Sequence, residues 1–191
     1  MTTPPSHLIE FPDVTDRMAT VLTQLGMLQQ GGRAADVILS TGEILPRLWD
    51  LTTIHDPHLR LDTWNWLEKF AIWFNSQQTW FSQDQIPACW TEHPHLVRDI
   101  AALADQRRAA GEALTSTPLD EWHRYTVPLF LERTRPARGN CEDKHTPWPG
   151  RAAHNRHLNL ENQQARRASI NADIEALKAS HHPTLRALPP T

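Results

Sequence analysis

The sequence predicts an all-α protein: an irregular multi-helix domain that ends in a C-terminal helix. Three observations lead there. Apolar residues recur at spacings of 3 and 4 in several separate stretches, and no stretch alternates with the period of two that a half-buried strand shows. Proline or glycine stands where these stretches begin and end. Eight tryptophans make up for a modest 39% of apolar residues, because each buries a large area, so 191 residues suffice for one core with an appended tail.

The first helix follows a proline-rich lead. In "PDVTDRMATVLTQLGMLQQGG", Val14, Met18, Val21, Leu25 and Leu28 lie 4, 3, 4 and 3 apart, and Gly31-Gly32 stops the pattern. This stripe of two heptads packs either inside the domain or against a second copy as a dimer seam. In "RAADVILSTGEILPRLWDL" an apolar run precedes a short helical pattern of Ile44, Leu48 and Leu51, with Pro46 near its start. "TTIHDPHLR" reads as a turn. The strongest segment is "LDTWNWLEKFAIWFNSQQTWF". Trp64, Leu67, Ala71 and Phe74 form one stripe and Trp66, Phe70 and Trp73 a second, so this helix belongs at the centre of the core. Stacking of bases or binding of a partner is the alternative use of such aromatics. Pro94 then opens a helix with Leu96, Ile100 and Leu103 on one face, ending near Gly111. Thr117 as N-cap and Pro118 as first helical residue start the next, which Pro128 should kink or interrupt.

These elements make residues 1–134 a helical core domain. Residues 135–157, rich in proline, glycine and charge, read as a loop, 158–182 as a C-terminal helix with Ile170, Ile174 and Leu177 on a thin apolar face, and 183–191 as a tail. A loop of that length needs an anchor or is disordered.

The cysteines suggest the anchor. The chain has two, and each is followed by a histidine at the same offset: Cys89 and His93 in "PACWTEHPHL", Cys141 and His145 in "GNCEDKHTPW". With 11 histidines in 191 positions, coincidence supplies both offsets at a few per cent, allowing for about eight acceptable ligand spacings. Two thiolates and two imidazoles are a standard structural set for tetrahedral Zn2+. With four protein ligands the ion has no open position, so this zinc is structural and staples the loop to the helical body. Pro94 biases His93 away from helical backbone, so the first pair meets through a turn. The competing reading is two buried, inert cysteines with unrelated histidines. A disulfide or redox pair is a third reading, disfavoured in the cytoplasmic setting expected from an N-terminus without signal-peptide features.

Charge divides the chain. Residues 1–134 carry 10 basic and 17 acidic side chains, and 135–191 carry 9 and 5. The basic segment offers Arg138, Arg151, Arg156, Arg166 and Arg167 as phosphate contacts for nucleic acid, although this density is below that of typical DNA binders. "EDKHTPWPGRAAHNRHLNLENQ" loosely matches the order of an HNH nuclease through Asp143, His145, Asn155 and His157, but that motif needs a ββα frame and no strands are predicted. His123 in "EWHRY" reads as a half-buried helix residue, since no carboxylate partner for a general base is identifiable. No phosphate-binding glycine loop, nucleophile elbow or H-E-x-x-H motif occurs, and no stretch is apolar enough for a membrane span.

The stretch "CWTEHPHLVRDIAALADQRRAAGEALTSTPLDEWHRYTVPLFLERTR" resembles a tryptophan-rich actinobacterial family of unknown function. Its members carry a Cys-Trp-x-x-His-Pro stretch, a Leu-x-x-Leu helix, a Trp-His element and a later Cys…His pair. The matching positions are Cys89, Trp90, His93, Pro94, Trp122, His123, Cys141 and His145, and the resemblance covers about a third of the chain. It implies an accessory protein of actinobacteria or of their phage or conjugative elements, and it implies no activity. The expectation is a non-enzymatic, zinc-stabilised helical interaction protein. Its partner would be another protein or a second copy, meeting the N-terminal seam or the C-terminal helix. A nucleic-acid-associated accessory protein and a metal-dependent nuclease or hydrolase are the alternatives.

Overall fold

The structure, a computed structural model, describes residues 8–42, 44–138, 141, 145 and 155–180. Among them no strand occurs; the one ladder-like pairing is an isolated bridge between Arg47 and Asp50. The fold is all-α. The helices are α1 (Asp16–Gln30), α2 (Arg33–Ser40), α3 (Pro57–Gln77), α4 (Pro94–Glu112), α5 (Thr117–Glu121), α6 (Val127–Arg138) and α7 (Leu160–Ser180). The chain divides into two compact units, Met1–Thr146 and Pro147–Thr191, and α1 to α6 belong to the first.

α3 is the axis of that first unit. Asp56 caps it by accepting from the amides of His58 and Leu59, and Pro57 supplies a preset φ at its first turn. Trp66, Leu67, Phe70, Ala71, Trp73 and Phe74 are all buried, so both sequence stripes enter the core. A buried indole N–H needs an acceptor, and four tryptophans find one. Trp66 and Trp73 donate to the carbonyls of Pro12 (2.9 Å) and Ile9 (3.0 Å), Trp90 to the Glu68 carboxylate (3.1 Å) and Trp122 to the Leu103 carbonyl (3.2 Å). The first two bonds strap the extended N-terminal lead along α3. Phe11 of that lead then packs edge-on against Trp66, Phe70 and Trp73.

The N-terminal stripe faces the interior. Met18 and Val21 are in the core, and Val14, Leu22 and Leu25 pack against it. Thr15 caps α1 and donates to Asp62 of α3, which also accepts from Arg17 at 2.8 Å. Gly31 and Gly32, with φ of 73° and 82° and ψ near 180°, form the corner into α2 in a backbone region essentially confined to glycine.

Two local expectations differ from the structure, and a third is refined by it. The helical pattern of Ile44, Leu48 and Leu51 gives no helix. Asp50 accepts from the Thr52 amide and hydroxyl, starting the 3₁₀ turn Leu51–Thr53, while the Thr53 hydroxyl accepts from the Arg47 amide. Leu48 and Leu51 are buried without a helix and Ile44 is exposed. The N-cap of α5 is Ser116 instead of Thr117, one residue earlier. The interruption expected at Pro128 takes a specific form: a π-helical turn, Trp122–Thr126, joins α5 to α6. Proline lacks an amide proton and crowds the carbonyl four residues back, here that of Arg124, and a wider turn relieves that clash. The extra residue also fits the core, because the buried positions Trp122, Val127, Phe130 and Thr134 lie 5, 3 and 4 apart. An unbroken α-helix would turn Trp122 away from the other three.

α6 runs through Pro136 to Arg138, so the segment read as a loop from residue 135 begins as helix. In the second unit, residues 155–158 are helical and Asn159 caps α7 by accepting from the amides of Glu161 and Asn162. Ile170, Ile174 and Leu177 on α7 are exposed. His181, His182 and the tail 183–191 lie outside the described residues.

Candidate metal centre

The site is built around a short turn between α3 and α4. Pro87 and Cys89 accept through their carbonyls from the amides of Trp90 (2.9 Å) and Glu92 (2.9 Å), which winds Trp90–Glu92 into a 3₁₀ turn. Buried Trp90 locks the turn to α3 through Glu68 and through its ring contact with Trp64, 5.6 Å away. Pro94 opens α4, so His93 falls at its N-cap with extended backbone (φ −113°, ψ 93°), as the proline requires. Its side chain makes no capping bond and turns towards Cys89 instead. The second pair lies beyond the end of α6. The Arg135–Asp84 ion pair (3.2 Å) ties α6 to the 3₁₀ turn Ser82–Asp84, just before the first pair.

These contacts bring the four predicted ligands together. One donor atom from each of Cys89, His93, Cys141 and His145 lies within 4.8 Å of all the others, a geometry compatible with a single metal ion. The Sγ atoms of Cys89 and Cys141 stand 3.4 Å and 3.5 Å from His93 Nε2. A tetrahedral zinc with bonds of about 2.3 Å to sulfur and 2.0–2.1 Å to nitrogen sets N···S edges at about 3.6 Å and S···S edges at about 3.8 Å. The two measured distances match such edges, and no separation exceeds the longest ideal edge by more than about 1 Å. Nε2 has either one lone pair or one proton, so it hydrogen-bonds one sulfur at a time, and a Cys89–Cys141 contact serves the other.

Electrostatics prepare the donors. Burial, followed by the neighbouring His145 and His95, holds the His93 imidazole below its ordinary pKa, so it is neutral and keeps a lone pair for a metal. Burial, with the hydrogen bond and charge of Cys141 next, pushes the Cys89 thiol up, so a cation is what would hold it as a thiolate. Neither cysteine is in a disulfide, and Cys141 is buried.

Glu92 went unnoticed in the sequence, although it lies between two of the ligands. Its Oε2 is 3.3 Å from His145 Nε2. A groove of about 780 Å³ borders Cys141 and Trp90, and three of its polar side chains are already engaged with the protein. Asn75 bonds both the amide and the carbonyl of Ile86, Glu68 holds Trp90, and Arg135 holds Asp84.

Of the nuclease candidates, His145 belongs to the Cys/His cluster, Asp143 lies outside the described residues, and Asn155 and His157 are exposed in the second unit. Among the proposed phosphate contacts, Arg151 and the Arg138 side chain lie outside the described residues. Arg156 and Arg167 are exposed, whereas Arg166 is partly covered and donates to the His157 carbonyl at 2.6 Å. His123, expected to be half-buried, is exposed on the π-helical turn; its pKa is still lowered, first by partial desolvation and then by Arg107, whose guanidinium carbon lies 5.0–5.7 Å from the ring centres of Phe11, Trp73 and Trp122. No described helix is long and apolar enough to cross a membrane. Comparison with protein-family models, with curated proteins and with solved structures finds no match to this chain, so residue chemistry carries the functional reading.

Proposed function

We propose that this chain is a non-enzymatic interaction or accessory protein in which a structural Zn2+, held by Cys89, His93, Cys141 and His145, clamps the segment after α6 to the helical body. The observation that carries the reading is the pair of sulfurs, remote in sequence, that share one imidazole nitrogen at 3.4 Å and 3.5 Å. Four protein ligands fill a tetrahedral zinc and leave no position for substrate or reactive water, which makes the role structural. A surface for a protein partner is available on α7, where Ile170, Ile174 and Leu177 are exposed in one stripe. The family resemblance adds the reading that the protein serves an actinobacterial phage or conjugative element.

The test is metal analysis of protein purified without a histidine tag. Wild type is expected to hold about one zinc per chain, and Cys141→Ser to lose the zinc together with thermal stability. Wild type without metal, or a Cys141→Ser variant that retains it with unchanged stability, overturns the proposal.

A further inference from the structure

The two histidines of the centre differ in surroundings. His93 is 2% exposed and presents Nε2 to both sulfurs. The His145 side chain is 33% exposed, and its Nε2 lies 3.3 Å from the Glu92 carboxylate, itself 62% exposed. A carboxylate is an acceptor only, so it favours the proton on the nitrogen that faces it, which leaves the lone pair of a neutral ring on the other nitrogen. Glu92 is not among the residues whose donor atoms cluster within 4.8 Å, so it stands beside the donor set and not in it.

We infer that Glu92 is a positioning residue for the metal centre: it holds His145 as the Nε2–H tautomer, so that His145 binds the ion through Nδ1 while His93 binds through Nε2. This rests on the metal reading above. The pair does for His145 what outer-shell carboxylates do generally, which is to fix ring orientation and raise ligand basicity. Cys141 and His93 are buried, whereas His145 and Glu92 meet solvent, so this corner is where solvent reaches the donor set. The turn that sets the first ligand pair also places Glu92. This residue ends the 3₁₀ turn that Cys89 begins, and the same Trp90 anchor that sets Cys89 and His93 therefore sets the carboxylate.

Two measurements on the full chain loaded with Zn2+ test this. Two-bond ¹H–¹⁵N spectra of histidine-labelled protein report which ring nitrogen is ligated, and are expected to show Nε2 ligation for His93 and Nδ1 ligation for His145. Ligation of His145 through Nε2 overturns the inference. Zinc transfer to a chromogenic chelator is expected to be about 10- to 100-fold faster in Glu92→Ala, in line with the loss of an outer-shell partner. Glu92→Gln, whose amide oxygen still accepts a hydrogen bond, is expected to fall between Glu92→Ala and wild type. Zinc bound by wild type with the same release rate in Glu92→Ala overturns the role of Glu92 alone. Wild type that binds no zinc overturns the metal centre with it.

Discussion

Replacing Trp73 by phenylalanine isolates the strap that ties the N-terminal lead to α3. The indole N–H donates to the Ile9 carbonyl at 3.0 Å, and the ring meets Phe11, Phe70 and Trp122 at centroid distances of 5.1, 5.9 and 6.3 Å. Phenylalanine cannot donate. Because Ile9 is itself exposed, water can recover its carbonyl, so the lost bond costs about 0.5–1 kcal/mol. The smaller ring gives up roughly 50 Å² of apolar burial, about 1 kcal/mol. The Arg107 guanidinium, 5.4 Å from the Trp73 ring, loses part of a cation–π contact, about 0.5 kcal/mol. Together these give about 2–3 kcal/mol, or a fall in Tm of about 5–10 °C for a chain of this size. Urea titrations should show a lower midpoint with an unchanged slope, and amide exchange in residues 9–12 should accelerate more than in α3. Trp80, 91% exposed, is the control, and its replacement by phenylalanine should change stability by less than about 0.5 kcal/mol. Equal effects at Trp73 and Trp80, or no exchange difference in the lead, would refute the account of the strap.

Two further substitutions probe other parts of the first unit. Arg107 sits over three aromatic rings with a buried Nε that has no hydrogen-bond partner, so contacts of about 0.5–1 kcal/mol each oppose a desolvation cost of about 1–3 kcal/mol. Arg107→Met, which keeps the apolar stem, should therefore fall within about 1 kcal/mol of wild type in urea unfolding, and Arg107→Ala should lose about 2 kcal/mol. At the α1–α2 corner, Gly31→Ala forces a side chain into a backbone region reserved for glycine and should cost about 1–3 kcal/mol by thermal unfolding. Gly26→Ala, inside α1 with open space around the added carbon, should be neutral or gain up to about 1 kcal/mol.

What the sequence reveals of this protein, and what it hides, follows from where each signal is stored. α3 is legible because its stripes are written in large apolar side chains at helical spacing. The convergence of Cys89, His93, Cys141 and His145 is legible because few residue types bind soft metals and the two offsets agree. The strap along α3 is not, since its acceptors are the backbone carbonyls of Ile9 and Pro12, which leave no mark on residue type. The helix expected around Leu48 fails because buried leucines at spacings of 3 and 4 do not outweigh an Asp50–Thr52 turn and a proline. Glu92 is hidden because a carboxylate beside a histidine is common on helix-flanking turns, and only the fold brings His145 to it.

The π-helical turn at Trp122–Thr126 has a consequence well downstream. One residue added to a turn rotates everything after it by about 100° around the helix axis relative to an unbroken helix. α6 ends at Arg138, three positions ahead of Cys141, so the turn sets the phase of the helix that leads the chain towards that thiol. Regularising the helix by deleting Tyr125 and replacing Pro128 would straighten a local irregularity and turn Val127, Phe130 and Thr134 out of register with Trp122. The bulge thus works as an angular adjuster, letting one continuous helical run present two stretches of sequence to the same core.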